Sequence, residues 1–383
     1  MTAPLLYLVA GEPSGDLLGA SLMQALESEC IGIQFAGVGG PGMQAAGLDP
    51  LFDNRQLAVM GIAEVLPRLP TLLARIRETV EDCLRRRPAA IVTIDSPSFG
   101  LRVSARVRAR DPSIRTIHYV APSVWAWRPG RARHMARFTD HVLALLPFEP
   151  PFMAAAGMTC DFVGHPVAER RQPGPADISA IRDRLGIPVD RRMLLVAPGS
   201  RAGEVRRMGP LFAEVVRRLT AADPRLAVAV PVGEGVADAP EALLPGLAPA
   251  LVTPEMGEEA KHAAFAAADA ALVKSGTVSL EMAAAGTPHV SAYRTSWMTA
   301  AIVRRLIRVP TANLVNLVAE EIAVPEFLQE RATPDLITPA VARLLEGEDD
   351  PRPVFDRVLG LLGRDGPPPS LRAARSVLGA IGR

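Results

Sequence analysis

The chain has 383 residues, of which 49% are apolar and 22% charged, and its formal net charge is +1. This length predicts two domains, and the composition excludes wholesale disorder. The near-zero charge and the aromatic fraction of 4% argue against a nucleic-acid partner. Three cysteines with no C-x-x-C pair indicate a reducing compartment and no structural zinc. No signal-peptide pattern occurs, and no apolar run approaches the about 20 residues of a membrane span, so we expect a cytoplasmic protein.

Short apolar runs alternate with longer helical patterns along the chain. We predict strands at 5–10, 34–38, 90–95, 115–120, 141–146 and 161–164, and then at 193–197, 226–230, 250–253, 270–273 and 289–293. Helices are predicted at 335–346, 352–363 and 369–381. Strand–helix–strand alternation is typical of parallel sheets covered by helices, an α/β fold of two doubly wound domains.

A Gln-Pro-Gly-Pro-Ala stretch at 172–176 indicates the linker between the two domains. We therefore divide the chain into residues 1–170, residues 177–345 and a helical tail, 346–383. The tail is expected to pack back on the first domain or to cross to a partner, which would give a homodimer. Ligands of such folds bind at the carboxyl ends of strands, and here we expect them in the cleft between the domains.

Two glycine-rich loops follow the first two strands. Residues 11–16 (Gly-Glu-Pro-Ser-Gly-Asp) open a helix, either as an anion site at its N-terminus or as an ordinary turn capped by Ser14. Residues 37–42 fit Gly-x-Gly-x-x-Gly. A dinucleotide is not expected there, because Pro41 lacks the N–H that a pyrophosphate would use and no acidic residue clearly ends a strand about 20 positions later.

Asp95 ends a predicted strand, which directs its carboxylate toward the ligand edge of the sheet. Apolar neighbours would raise the pKa of Asp95 toward the range of a general base, whereas the alternative is a cap for the helix that starts near Phe99. Residues 118–128 contain two of the three tryptophans. Their rings suit a sugar face or an acyl chain, and the alternative is a packed inter-domain loop.

In the second half, two strand-end loops have the character of phosphate sites. Ser200 and Arg201 follow the strand at 193–197, where an arginine donates paired bonds to phosphate; the alternative is a surface arginine. Ser275, Gly276 and Thr277 open a helix, and Glu281 lies one turn inside it, placed to bind both ribose hydroxyls or to lie on a solvated face. The chain has no Asp-x-Asp, so we expect no metal or other cofactor.

An apolar, basic-rimmed run occupies residues 61–77. Pro67 and Pro70 split it, and Pro70 is a natural helix start. The run either packs in the core or contacts a membrane or acyl chains, with Arg304, Arg305 and Arg308 adding attraction to anionic lipid or forming a solvated helix face. The lipid-contact candidates recur at helical spacing: Ile62, Val65, Leu66, Leu69, Leu72, Leu73 and Ile76.

Together these motifs resemble the lipid A disaccharide synthase family, inverting glycosyltransferases of the GT-B fold. The resemblance runs in order from residue 5 to about 330, and its segments are 11–20, 37–43, 59–65, 94–97, 118–128, 146–149, 162–165, 198–204, 275–281 and 313–317. It implies that UDP-2,3-diacylglucosamine and 2,3-diacylglucosamine 1-phosphate condense to a β-1,6-linked disaccharide 1-phosphate and UDP. It also implies a peripheral enzyme at the cytoplasmic face of the inner membrane of a Gram-negative bacterium.

The resemblance also implies roles for individual residues. Asp95 would be the general base for the acceptor 6-hydroxyl, and Glu12 would lie close to the reacting sugars. The diphosphate would be bound by Arg201, Ser200, Ser275, Gly276 and Thr277, the ribose by Glu281, the uracil by Met256 and Gly257, and the donor sugar by Asn316. Lys274 departs from the family pattern, since a small or apolar residue is expected before Ser-Gly-Thr; it either adds a cation near the diphosphate or points away.

Three other functions stay open at this point. The chain is alternatively another GT-B enzyme acting on a UDP-aminosugar, such as a UDP-N-acetylglucosamine 2-epimerase, which needs no acceptor. A dinucleotide oxidoreductase would bind NAD(H) at residues 37–42. A non-catalytic lipid- or nucleotide-binding module would leave Asp95 and Glu12 without a role.

Overall fold

The computed structural model describes residues 3–57, 62–127, 130–233, 236, 239–295 and 309–383, with the side chains of residue 55 and residues 62–69 excepted. The chain forms two units, Met1–Glu169 with Leu362–Arg383, and Arg170–Leu361. The predicted linker at 172–176 therefore lies just inside the second unit. The predicted tail, 346–383, is divided: the helix that ends at Leu361 belongs to the second unit and the last helix to the first.

The first unit is built on a seven-stranded parallel sheet of order β3-β2-β1-β4-β5-β6-β7. Its strands are β1 Leu5–Ala10, β2 Gln34–Gly39, β3 Asp49–Asp53, β4 Ala90–Ile94, β5 Arg115–Tyr119, β6 His141–Ala144 and β7 Thr159–Phe162. Its helices are α1 Pro13–Glu29, α2 Pro41–Ala45, α3 Ile62–Arg86, α4 Gly100–Arg110, α5 Gly130–Met135, α6 Pro150–Ala154 and, from the chain's end, α14 Pro369–Ala380.

The central strands of this sheet are buried on both faces, which is why they read as continuous apolar runs. One face is covered by α1 and α14, which contribute Leu22, Leu26 and Val377 to a core with β1, β4 and β5. The other face packs against α3 and α4 through residues such as Ile76 and Val103.

The second unit repeats this architecture with a six-stranded parallel sheet of order β10-β9-β8-β11-β12-β13. Its strands are β8 Met193–Ala197, β9 Ala227–Pro231, β10 Ala250–Val252, β11 Ala270–Lys274, β12 His289–Tyr293 and β13 Glu326–Leu328. Its helices are α7 Pro175–Arg184, α8 Ala202–Ala222, α9 Gly257–Ala266, α10 Val278–Ala284, α11 Leu314–Ala319, α12 Pro334–Leu345 and α13 Arg352–Leu361.

Both sheets reverse their strand order beside the first strand of the unit. The reversal lies between β1 and β4 in the first unit and between β8 and β11 in the second. In open parallel sheets, loops that leave neighbouring strands at such a point run in opposite directions and open a crevice for a ligand. The loops after β1, β4, β8 and β11 are therefore the first places to examine for a site.

The predicted strands all exist, and their ends agree with the structure to within about two residues. Two strands, β3 and β13, were not predicted because each is a short edge strand with a single buried residue, Phe52 and Phe327 respectively. Helix α3 is continuous from Ile62, so the expectation that Pro70 starts a helix is wrong. Within the described ranges no helix has both the length and the apolar character needed to cross a bilayer.

Candidate active site

The turn after β4 places Asp95 at the reversal point of the first sheet. Asp95 and Ser96 both have positive φ, +49° and +38°, a conformation that side chains other than glycine seldom adopt. The Asp95 N–H donates to the Tyr119 carbonyl at 3.0 Å, and the Ser14 hydroxyl donates to Asp95 Oδ2 at 3.0 Å. The capping alternative is wrong, because α4 begins at Gly100 with Phe99 in the cap position. Strain held in this way is typical of functional positions.

Glu12 lies in the neighbouring loop, half-buried in the cap position of α1. This loop touches the Asp95 turn closely: a Cβ atom at Gly11 would lie 2.8 Å from Ser96 Oγ, and one at Gly15 would lie 3.1 Å from the Ile94 carbonyl oxygen. The two glycines therefore allow the β1 and β4 loops to meet. Ser14 bonds to Asp95 and does not cap α1, a contact that sequence reasoning missed.

The Gly-x-Gly-x-x-Gly loop has a structural role in this unit. The backbone N–H groups of Gly40, Gly42 and Met43 donate to the Asp16 carboxylate at 2.8, 2.9 and 3.0 Å. Asp16 is only 6% exposed. Because the donors that would bind a pyrophosphate are already bonded, this loop is not built as a dinucleotide site.

The tryptophan-containing loop is anchored by a carboxylate that the sequence did not single out. Trp125 Nε1 donates to Glu149 Oε1 at 3.1 Å, while the N–H groups of Leu145 and Leu146 donate to Glu149 Oε2 at 3.1 and 3.0 Å. Burial raises the pKa of Glu149 to about 7. Trp127 is 39% exposed. One tryptophan thus holds the loop and the other faces outward, so neither the packed nor the ligand-binding alternative describes the whole loop.

His118, which begins this stretch, is not positioned for proton transfer. It is 1% exposed and its Nδ1 lies 2.8 Å from Thr93 Oγ1. Burial and the nearby Arg131 lower the pKa of His118 to about 4. A neutral, buried imidazole of this kind supports the sheet and does not provide an acid or base.

The loops after β8, β9 and β11 converge in the second unit. Ser200 and Arg201 are exposed, and Arg201 takes the cap position of α8. A Cβ atom at Gly233 would lie 2.9 Å from the Ser200 Cα, so only glycine lets the β9 loop approach this closely. Glu204, in the first turn of α8, lies with its Oε1 3.0 Å from Lys274 Nζ at the end of β11. The exposed arginine and this mixed-charge pair occupy the reversal point of the sheet.

The Ser-Gly-Thr triplet after β11 is only partly available to a ligand. The Ser275 hydroxyl donates to Glu326 Oε1 at 3.1 Å, and Ser275 is 7% exposed. Glu326 also accepts from the Thr311 hydroxyl at 2.7 Å. Gly276 is half-buried and Thr277 exposed. The prediction that Ser275 binds the diphosphate is therefore corrected: its hydroxyl ties the loop to β13, and its N–H donates to the Ala292 carbonyl at 3.1 Å.

Glu281 lies next to the start of α9. Its Oε2 is 3.4 Å from Lys261 Nζ and its Oε1 is 3.9 Å from Arg170 Nη2, and its side chain is 23% exposed. Lys261 belongs to α9, which begins at Gly257 directly after Met256. The structure thus brings together the residues predicted for ribose and uracil, and the alternative of a fully solvated face for Glu281 is wrong.

Asn316 does not face a ligand, which corrects the prediction of a donor-sugar contact. It is 2% exposed, its Nδ2 donates to the Val324 carbonyl at 2.9 Å, and its Oδ1 accepts from the N–H groups of Ala323 and Val324 at 3.1 and 2.8 Å. The preceding Asn313 caps α11 by accepting from Val315 at 2.9 Å. Both asparagines hold the segment between α11 and β13.

The lipid-contact candidates divide along α3. Leu73 is 43% exposed and Leu72 half-buried, whereas Ile76 is 1% exposed and belongs to the core, so its assignment to a lipid contact is corrected. Beside Leu73, an open groove of about 550 Å³ is lined by apolar side chains, by Arg77, Arg106 and Arg110, and by Glu81, which pairs with Arg110. Outside the described side chains lie Ile62, Val65, Leu66 and Leu69, and outside the described residues lie Arg304, Arg305 and Arg308.

The described part of the chain holds no cluster of metal-ligating side chains. There, no three His, Cys, Asp or Glu side chains gather as a metal centre requires. The phosphate-binding candidates left in the second unit are Arg201, Ser200, Gly276 and Thr277, which offer a guanidinium, hydroxyls and backbone N–H groups.

Comparison with known proteins identifies relatives along almost the whole chain. The sequence model of the Lipid-A-disaccharide synthetase family matches residues 6–354. A lipid-A-disaccharide synthase of Ruegeria pomeroyi is 50% identical over 384 residues, covering 97% of this chain and 94% of the relative.

Among solved structures, the glycotransferase of kitacinnamycin aligns with a TM-score of 0.61 at 17% identity, covering 99% of this chain and 100% of that one. A putative UDP-N-acetylglucosamine 2-epimerase from Listeria monocytogenes aligns with a TM-score of 0.60 at 15% identity, covering 99% and 96%. At such low identities these structures establish the fold, two Rossmann-like domains of the GT-B type, and do not distinguish a transferase from an epimerase.

Proposed function

The chain belongs to the lipid-A-disaccharide synthetase family, and from that premise we propose the reaction that it catalyses. As a glycosyltransferase of lipid A biosynthesis, it condenses UDP-2,3-diacylglucosamine with 2,3-diacylglucosamine 1-phosphate. The products are a β-1,6-linked tetraacyl disaccharide 1-phosphate and UDP. The observation that carries the proposal is the match of one family across residues 6–354, which includes the strand-end loops of both sheets.

In the first unit we assign the acceptor chemistry to Asp95. Its carboxylate takes the proton of the acceptor 6-hydroxyl while that oxygen attacks C1 of the donor sugar from the face opposite the diphosphate. The C1–O bond to UDP breaks as the new bond forms, and its electron pair leaves with the β-phosphate oxygen. Ser14 orients the Asp95 carboxylate at 3.0 Å, and Glu12, in the touching loop, is placed beside the reacting sugars.

In the second unit we assign the diphosphate to Arg201, Ser200, Gly276 and Thr277. Arg201 is exposed at the start of α8, so its guanidinium and the first N–H groups of a 21-residue helix both present positive charge. This charge stabilises the departing UDP and lets the reaction proceed without a metal ion or other cofactor. The Ser275 hydroxyl holds this loop in place by donating a hydrogen bond to Glu326.

The nucleoside is assigned to Glu281, Met256 and Gly257. The two cations near Glu281 lie at 3.4 and 3.9 Å, longer than strong charge-assisted hydrogen bonds, so the carboxylate retains the capacity to accept bonds from both ribose hydroxyls. The turn at Met256 and Gly257 begins the same helix that carries Lys261, and its backbone is placed to meet the uracil edge.

Both substrates carry acyl chains, so we propose that α3 contacts the cytoplasmic face of the inner membrane. Leu73 is exposed beside a groove lined by three arginines and one glutamate, Glu81, and the remaining positive charge suits an anionic lipid surface. A homodimer remains a prediction. In this structure α14 packs within its own unit, where Arg375 Nε donates to Glu29 Oε2 at 2.8 Å, and exchange of that helix between two copies would join them.

The proposal is tested by a coupled assay in detergent micelles with EDTA present. Purified protein is mixed with the two lipid substrates, and UDP release and disaccharide formation are followed together. We expect UDP release only when the acceptor is present, in step with the disaccharide. UDP release or epimer formation without the acceptor, or UDP binding without any disaccharide, would instead favour a different UDP-sugar enzyme of the same fold.

A further inference from the structure

Lys274 occupies an unusual place at the reversal point of the second sheet. It is the last residue of β11, and its Nζ lies 3.0 Å from Glu204 Oε1 and 5.3 Å from the centre of the Tyr293 ring. Its side chain is 21% exposed and that of Glu204 is 16% exposed. The ammonium is thus fixed by a carboxylate and an aromatic face but retains an accessible side.

The pair lies between the two loops assigned to the diphosphate. A Cβ atom at Gly199 would lie 2.8 Å from Glu204 Oε2, and one at Gly276 would lie 3.5 Å from Lys274 Nζ. Glu204 Oε1 is also 4.0 Å from Arg201 Nη1. One carboxylate therefore faces two cations, which leaves a net positive charge where both loops end.

A purely structural salt bridge does not need this arrangement. Ion pairs near the surface contribute little to stability, and a carboxylate inside an anion site disfavours anion binding unless it organises the cations around it. The observed geometry fits a carboxylate that organises the cations of an anion site. Glu204 holds Lys274 and Arg201 within reach of one another while the site is empty, so that little side-chain entropy is lost when an anion binds.

We infer that Lys274 binds the diphosphate of the UDP-sugar and stabilises the charge that leaves with UDP, and that Glu204 is its positioning residue. The inference rests on the proposed function, because it names how the leaving group is held. When the C1–O bond breaks, the electron pair stays on the β-phosphate oxygen. Lys274 keeps its proton and donates a hydrogen bond to that diphosphate, so no proton transfer is needed.

The test is calorimetric binding of uridine, UMP and UDP to the full-length protein and three variants, Lys274→Met, Lys274→Arg and Arg225→Met. We expect Lys274→Met to weaken UDP binding by about tenfold to a hundredfold, the range of a lost charge-assisted hydrogen bond, and to change uridine binding less than about twofold. Lys274→Arg keeps the charge and should stay within about fivefold of the unaltered protein.

Arg225→Met is the matched control. It removes one positive charge from the same unit, but Arg225 precedes β9 and so lies at the opposite, amino-terminal edge of the sheet, paired with Asp190. Its affinities should equal those of the unaltered protein. Equal UDP affinity in Lys274→Met and the unaltered protein, or an equal loss of uridine and UDP binding, would overturn the inference. Failure of the unaltered protein to bind UDP would count against the proposed function instead.

Glu204→Gln separates positioning from binding. The amide keeps the size of the side chain and removes its charge. Loss of the repulsion between the carboxylate and the diphosphate then offsets the loss of preorganised cations, so UDP affinity should stay within about threefold. The turnover number for disaccharide formation should fall at least about fivefold, because Lys274 and Arg201 lose the group that holds them. If turnover is unchanged in Glu204→Gln, Glu204 does not position Lys274. A parallel fall in the affinities for UDP and uridine would exclude that role as well.

Discussion

At the scale of single residues, the chemistry depends most on Asp95. Its backbone has a strained, left-handed conformation, and a hydroxyl from another loop bonds to its carboxylate. Asp95→Asn keeps the shape and can still accept the bond from Ser14, but it cannot take a proton. We expect the turnover number to fall by about 10²–10⁴-fold, the usual contribution of a general base, with UDP affinity unchanged. Steady-state kinetics and calorimetry measure the two effects separately.

Asp111→Asn provides the comparison for that variant. Asp111 follows α4 and precedes β5, so it lies at the opposite edge of the same sheet, where it accepts from Ser113. Its activity should match the unaltered protein. A loss of less than about tenfold in Asp95→Asn would remove the assignment of Asp95 as the base.

The sequence identified single residues well where they directly follow a strand and poorly where their partners are distant. Asp95 and Arg201 could be placed at strand ends because the apolar runs before them mark where each strand stops. The bond of Ser275 to Glu326 joins positions 51 apart, and no local pattern indicates it. Asn316 was assigned to the donor sugar only because of the resemblance. It lies inside α11, and no local pattern indicates that its amide bonds to Ala323 and Val324.

At the scale of elements, the tryptophan-containing loop is anchored by the Glu149 carboxyl, whose proton affects the stability of the fold. The ordinary pKa of this carboxyl is 4.5, and burial raises it to about 7 in the folded protein. The folded state therefore binds the proton more tightly than the unfolded chain. The stabilisation from this proton is complete below pH 4.5, declines as the pH rises from 4.5 to 7, and is absent above 7.

Because the pKa of Glu149 is higher in the folded protein, the free energy of unfolding should fall as the pH rises. Between pH 5 and pH 8 the unaltered protein should lose up to about 3 kcal/mol of unfolding free energy relative to Glu149→Gln, which has no proton to release. Denaturant titrations of both proteins at several pH values provide the comparison. Parallel curves for the two proteins across this range would show that the Glu149 proton does not contribute.

Helix α3 is the element through which we expect the enzyme to contact lipid. Burial of one leucine is worth about 1.5–3 kcal/mol, so Leu73→Glu should lower partitioning onto phosphatidylglycerol-containing vesicles by about tenfold or more. Leu336→Glu is the matched control, since Leu73 and Leu336 are both 43% exposed and Leu336 lies on α12 of the other unit. Cosedimentation gives the bound fractions. Equal losses in both variants, or none in either, would contradict a lipid contact through α3.

Most elements could be predicted from periodicity because their burial follows the sequence pattern. Among the fully buried strands, β8 is an unbroken apolar run and β4 is interrupted only by Thr93. The edge strands β3 and β13 have only one partner strand and one buried residue each, so the pattern that indicates a strand is missing. The course of α3 through Pro67 and Pro70 was not predictable either, because tertiary packing decides whether a helix tolerates a proline.

At the scale of the whole molecule, each of the two units has its own hydrophobic core on both faces of its sheet. The two clusters around the second sheet contain only residues of the second unit, and those around the first sheet draw on the chain's start and its last helix. The chain passes between the units at Glu169 and Arg170 and returns at Leu361 and Leu362. The linker at 172–176 was predicted from the sequence, whereas the return was not, although a glycine- and proline-rich stretch at 363–369 follows it directly.

Separate cores predict separate unfolding transitions. A ligand stabilises the unit that binds it by about 2.7 kcal/mol at a hundredfold excess over its dissociation constant, so UDP should raise only the calorimetric transition of the second unit.

Ala374→Glu places a charge in the fully buried core under α14 and should lower the transition that UDP leaves unchanged. Ala213→Glu, at a fully buried position on α8, should lower the one that UDP raises. A single transition that moves as a whole in all of these experiments would mean that the two units unfold cooperatively, and UDP binding would then stabilise Asp95 and its loop together with the nucleotide site.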